Sequence, residues 1–145
     1  MEQALHASTS WMGDHDVFAA LADVAAVEEN KAALRRHAPM AEELALRHGH
    51  KLYQAVAHRA WGVAHRLAGE YDHSAVRLSQ ALVIFQDLGA RWQLGRTLYE
   101  LGRLAAIQLD WDAARSYFSD ALVHFEAMRT VPDSVRTRVA LGALS

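Results

Sequence analysis

The feature that most constrains this chain is an internal repeat with a period of 40 residues. A unit of that length cannot bury its own apolar face, so successive copies must stack on one another. Gly62 recurs as Gly102 and Gly142, and each follows a large apolar residue: Trp61, Leu101 and Leu141. Ala41 recurs as Ala81 and Ala121, Gly49 as Gly89, Tyr71-Asp72 as Trp111-Asp112, and Arg96-Thr97 as Arg136-Thr137. Ser79, Ala81, Leu82, Val83 and Phe85 return as Ser119, Ala121, Leu122, Val123 and Phe125. The register holds without a gap from residue 41 onward.

Each copy reads as two helices. Over residues 51–68, Leu52, Val56, Ala60, Val63, Ala64 and Leu67 fall at three- and four-residue spacing, which puts them on one helix face. Gly69 suits a left-handed cap at the end of that helix. Asp72 is expected to cap the next helix, which runs to about Leu88 with Ala75, Leu78, Ala81, Leu82 and Phe85 inward. Connections of two to four residues force an antiparallel hairpin. A glycine inside a helix costs about 1 kcal/mol against alanine, so Gly62 and Gly102 at one repeat position argue for close packing. Bulky Trp61, Leu101, Phe85 and Phe125 fill the space beside them.

These residues resemble the tetratricopeptide repeat. That pattern has a large apolar residue and glycine on the first helix, a Gly-acid-aromatic turn, and small and aromatic residues on the second. Here it is carried by Trp61-Gly62, Gly69-Glu70-Tyr71, Ser74, Leu78 and Ala81. The next copy has Leu101-Gly102, Asp110-Trp111, Ala114, Phe118 and Ala121. The resemblance covers roughly residues 14–145. The period departs from the usual 34, His65 and Ala105 stand where an aromatic is usual, and the terminal proline is missing. Copies of 40 residues joined by a segment such as Leu88-Gly89-Ala90-Arg91 are similar to the repeat arrays of large bacterial signalling proteins, among them maltose-regulator-type activators and ATPase- or cyclase-linked regulators. They also resemble those of eukaryotic polarity adaptors. HEAT-type hairpin solenoids share the period and are the structural alternative. The implied fold is all-α, a right-handed α-solenoid of antiparallel helix pairs. Units fall at about 14–48, 51–88 and 91–128, with a partial helix at 133–145.

The first unit is degraded: Ala22 occupies the Gly62 position, and Pro39 falls inside its second helix. A proline there removes one hydrogen bond and clashes with the Arg35 carbonyl, so a kink or a break is expected. Residues 1–8 read as the last turns of a preceding second helix. With both ends falling mid-unit, the chain is expected to be a fragment of a longer array, the alternative being that the last helix caps the stack. Exposed apolar faces at open ends make self-association plausible.

The formal net charge of −2 over 145 residues argues against a nucleic-acid binder. The chain has no cysteine, which excludes disulfides and thiolate metal sites and permits a cytoplasmic location. No apolar stretch approaches the length that spans a bilayer. No motif for catalysis stands out, and no enzyme activity or cofactor is expected. Nine histidines raise the question of a metal. His48 and His50 flank Gly49, and His58 and His65 are seven residues apart on one face. Asp14, His15 and Asp16 cluster at a helix start. Each has a plainer role: Asp14 or Asp16 as a helix cap, His48 against a helix C-terminus, His58 and His65 as half-buried packing. No metal site is expected. Trp92, Trp111, Tyr117 and Phe118 are expected in the core between repeats, with Trp11 outside the pattern and exposed.

By the resemblance, first helices line a concave groove that binds a partner. Its groove-facing positions carry Val56, Arg59, Val63 and Arg66, then Arg96, Tyr99, Arg103 and Ala106, then Arg136 and Val139. Arg59 and Arg66 share a helix face, as do Arg96, Tyr99 and Arg103. Five arginines and a tyrosine on one surface suit an acidic peptide or a carboxylate-bearing ligand. Alternatively, Glu100, Asp110 and similar neighbours neutralise these arginines, leaving a solvated face. A regulatory module that binds protein is the leading expectation. The alternative function is a small-ligand sensor, which would show a closed apolar pocket with a few polar groups.

Overall fold

The computed structural model describes residues 14–144. Among the described residues there are seven α-helices and no strand. They are α1 (Asp14–Val27), α2 (Lys31–Arg47), α3 (Lys51–Leu67), α4 (Tyr71–Leu88), α5 (Arg91–Ile107), α6 (Trp111–Met128) and α7 (Val131–Ala143). Contacts are sequential: α1 packs on α2, α3 on α4 and α5 on α6, and each pair meets the next through α2–α3, α4–α5 and α6–α7. Helix α1 also packs on α3, so the first helices of successive pairs lie side by side. Trp11 and residues 1–8 lie outside the described residues, as do the side chains of Asp14 and His15.

One turn geometry makes all six connections. Glu29, Gly49, Gly69, Leu109, Gly89 and Arg129 each have φ between 53° and 79°. In every turn that residue's N–H reaches back three residues, and the next N–H reaches back five. Gly69 N–H thus donates to the Arg66 carbonyl, and Glu70 N–H to that of His65. This paired closure satisfies orphan carbonyls at a helix end and reverses the chain within two or three residues. Glycine takes the left-handed position at half of the turns, where it costs least. The other half carry it on Glu29, Leu109 and Arg129, so tertiary packing overrides local preference there.

The apolar stripes meet between helices. Leu34, Ala38 and Ala41 of α2 join Ala22, Ala25, Ala57 and Ala60 in one buried cluster. Phe118, Ala121 and Phe125 of α6 join Leu98 and Tyr99 of α5 in another. The glycines fit these contacts closely. A methyl group on Gly62 would lie 2.6 Å from the Leu78 side chain, and one on Gly102 would lie 2.6 Å from Phe118. The bulk that requires glycine is therefore a second-helix side chain aimed at the first helix backbone. Gly95 has the same relation to Phe125, at 2.7 Å. Ser74 adds a polar version, its hydroxyl donating to the Gly62 carbonyl at 2.7 Å.

Two local expectations need correction. Helix α2 runs through Pro39 without a break. Pro39 is exposed while Leu34, Ala38, Ala41, Leu44 and Ala45 continue the buried stripe past it, so packing holds the helix together across the hydrogen bond that the proline removes. Asp72 is not the cap of α4: Glu70 holds that position without a side-chain bond, and Asp72 sits in the first turn. There its charge still favours the helix N-terminus. The helix start that Asp14 or Asp16 is expected to cap lies outside the described residues. Working caps are Asn30, His50 and Asp110, which accept from Ala33, Tyr53 and Ala113 N–H groups.

The glycine contacts make a directional prediction. Gly62→Ala and Gly102→Ala should each destabilise the fold by about 1–3 kcal/mol, because overpacking outweighs the propensity gain. Gly142 meets nothing within 4 Å, so Gly142→Ala should stabilise by up to about 1 kcal/mol. Urea unfolding of the three variants checks the sign of each change.

Candidate functional site

Helices α1, α3, α5 and α7 carry equivalent repeat positions, so one register names the residues that face each other. The position held by Val56, Arg96 and Arg136 is Asp16 in the first unit. The position held by Val63 and Arg103 is Asp23. The degraded unit thus carries acids where later units carry arginine. Asp23 closes the face. Its Oδ1 and Oδ2 accept from Arg96 Nη2 and Nη1 at 2.8 and 2.9 Å, a two-pronged pair. Oδ1 also accepts from Arg59 Nη2 at 3.0 Å. Burial pushes the Asp23 carboxyl up, but Arg59 and Arg96 outweigh it and hold the group below its usual range.

The six predicted groove residues occupy two environments. Arg59 is 1% exposed. It reaches across α5 to the Gln93 carbonyl at 3.3 Å and lies over the Phe85 ring. Burial, with Arg96 alongside, lowers its pKa to about 10 against the pull of Asp23. Arg66 and Arg96 are buried too. Arg66 Nη2 donates to Glu29 at 3.0 Å and to Glu100 at 3.3 Å. The Glu100 carboxyl is pushed up: burial exceeds the opposing effect of Arg66 and Arg103. These three arginines are therefore not an open surface, as the sequence pattern suggests, but the inner layer of an ion-pair network.

Arg103, Arg136 and Tyr99 form the outer layer. Arg103 Nη2 lies 2.8 Å from Glu29 Oε1, with the Arg103 side chain 37% exposed. Arg136 pairs with Asp133 at 2.6 Å. Both guanidinium groups stand over the Tyr99 ring, at 5.9 and 5.1 Å from its centre, within cation–π range. These three residues line two adjoining cavities. One, of about 200 Å³, also touches Glu29, Arg59, Val63, Arg96 and Glu100. The other, of about 740 Å³, is walled by Ala106, Ile107, Trp111, Val139 and Leu144 together with Arg66. Val56 is not on the groove; it packs with Ala19, Ala81 and Phe85.

Other expectations change with these contacts. Asp110 does not neutralise the arginines; it caps α6. The acids that do are Glu100 and the unforeseen Asp23, Glu29 and Asp133. Trp92 and Trp111 are not core: they are 38% and 45% exposed. Trp92 donates to Asp133 at 2.9 Å and lies under Arg96. Phe118 is buried, and Tyr117 is half-buried beside it. His58 and His65 do not come together. His58 meets Arg77 and Glu42. His65 meets Glu70 at 2.9 Å and stacks on Trp61.

The chemistry available is recognition of anions, with arginine forks and an aromatic ring beside an apolar wall. No family model matches the chain, and no curated protein matches it.

Asp23→Asn leaves Arg59 buried without its counter-charge and should cost about 3 kcal/mol or more at neutral pH. The Asp23 pKa is depressed from 3.8, so its stabilisation is complete above that value and is lost as pH falls through the depressed one. Denaturation of both proteins at pH 7 and at about pH 3 should show the gap between them narrowing in acid.

Proposed function

We propose that this chain is an interaction module, a right-handed tetratricopeptide-like stack of helix pairs whose concave face receives a carboxylate-bearing segment of a protein or peptide. On this reading it serves as the regulatory part of a larger cytoplasmic signalling protein. The observation that carries it is the pairing of Arg103 and Arg136 over Tyr99 on the wall shared by the two cavities. Arginine and tyrosine are the residues on which binding energy concentrates at interfaces. Both guanidinium groups are partly solvated, so a partner's carboxylates reach them without stripping a buried charge. Beside them Ile107, Trp111 and Val139 are exposed, and apolar side chains of the same segment would cover that wall. No helix among the described residues is long and apolar enough to cross a membrane.

A second reading has its own support. A cavity of about 740 Å³ lies within the size range of small-molecule sites, so a small amphipathic anion fits a sensor role. The exposed valines of α7, Val131, Val135 and Val139, favour self-association through that end as a further property of the module.

Acidic and apolar-acidic peptides on an array, followed by fluorescence anisotropy of the tightest binder, test the main reading. Arg103→Gln/Arg136→Gln should weaken that peptide at least about tenfold, or 1.4 kcal/mol, and added salt should weaken it in the wild type. Equal affinity for both proteins contradicts the proposal. Binding of a small anionic amphiphile with no peptide binding favours the sensor.

A further inference from the structure

We propose that Arg66 and Arg103 form a carboxylate seat that Glu29 occupies, and that an acidic segment enters the groove by displacing Glu29. One oxygen, Glu29 Oε1, bridges the two arginines at 3.0 and 2.8 Å. They come from different units, α3 and α5, so their convergence on one point is a tertiary arrangement and not a neighbour effect along one helix. Without Glu29, Arg103 Nη1 keeps the Tyr99 hydroxyl at 3.5 Å, and Arg66 keeps Glu100 at 3.3 Å. The vacated point is then flanked by two cations, of which only Arg66 retains a paired carboxylate.

The turn does not call for a glutamate. Glu29 holds a left-handed backbone, with φ 53°, and its repeat equivalents are Gly69 and Leu109. Gly69 has no side chain, and Leu109 is 67% exposed. Only in the first unit does the turn send a carboxylate into the arginines, so the residue serves the seat and not the backbone. Being on a turn, its side chain can leave by rotation about its own bonds while every helix stays in place. Open space of about 200 Å³ adjoins it. The pair with Arg103 is a third exposed on both sides, and ion pairs that exposed are weak. Within the cluster four guanidinium groups, Arg59, Arg66, Arg96 and Arg103, meet three carboxylates, Asp23, Glu29 and Glu100. The Nε atoms of Arg59 and Arg66 are buried without a hydrogen-bond partner among the described residues. Positive charge and donor capacity are both in surplus.

The consequence is competition. While Glu29 fills the seat, the groove's apparent affinity for an external carboxylate is reduced by the fraction of molecules with the seat open. The biological ligand in this inference rests on the proposed groove function; the seat itself does not. Two probes therefore separate them: glutarate, which tests the seat alone, and a capped hexaglutamate peptide, which tests the groove. Side-chain NMR signals of the Arg66 and Arg103 guanidinium groups report occupancy in the wild type, Glu29→Gly and Glu29→Gln. Both variants should saturate with glutarate at a concentration at least about tenfold lower than the wild type does. Equal midpoints, absence of saturation in all three proteins, or Glu29→Gln behaving as wild type would overturn the proposal. Tighter glutarate with no hexaglutamate binding in either variant upholds the seat and removes the acidic-peptide groove.

Discussion

The arrangement of the arginine-bearing face depends on the two-pronged pair between Asp23 and Arg96. These residues are 73 positions apart and belong to the first and third helix pairs. In a linear repeat stack each unit touches only its neighbours. Here α1 and α5 meet across the face of α3 through charged side chains, and Arg59 of α3 is drawn into the same carboxylate. A parallel fork between a guanidinium and a carboxylate fixes distance and orientation together. It therefore holds Arg96 and Arg59 against one carboxylate of the first helix pair.

That clamp divides the arginines by depth. Arg59, Arg66 and Arg96 are buried among Asp23, Glu29 and Glu100, where desolvation is costly and each charge is tolerable only with its partner in place. The opposing shifts record this balance: Asp23 is held down by Arg59 and Arg96, while burial pushes Glu100 up despite Arg66 and Arg103. Arg103 and Arg136 stand above that layer, half-solvated and propped on Tyr99. The inner layer backs the outer one, whose two guanidinium groups stay partly solvated. The same logic explains the aromatics: Phe85 and Tyr99 each carry a guanidinium on one face while packing into apolar clusters.

Much of this arrangement is legible in the amino-acid sequence. A strict period with Gly62 and Gly102 in register specifies hairpins that pack closely, and three-and-four spacing names the buried stripes, because both are local and repeated. The arginine convergence was legible for the same reason. Asp23 and Glu29 were not. They sit in the unit where the pattern decays, although carrying the register of Val63 and Gly69 back by 40 residues points to both. Their importance comes from contacts between units, which periodicity does not encode. Pro39 misleads for a related reason. Its local cost is real, but an exposed proline on a well-buried stripe is outvoted by packing. Trp92 and Trp111 mislead because large apolar side chains at helix starts suit either a core or a lining of open clefts, and only the neighbouring helix decides.

The most direct test of this account is a double-mutant cycle between Asp23→Asn and Arg96→Gln, read from equilibrium unfolding at neutral pH. If the fork joins the first and third pairs as described, the coupling energy should be at least about 1.5 kcal/mol, the lower end for close charge pairs. Additive effects, with coupling below about 0.5 kcal/mol, would mean that the two units do not depend on each other. The arginine-bearing face would then owe its arrangement to neighbour packing alone.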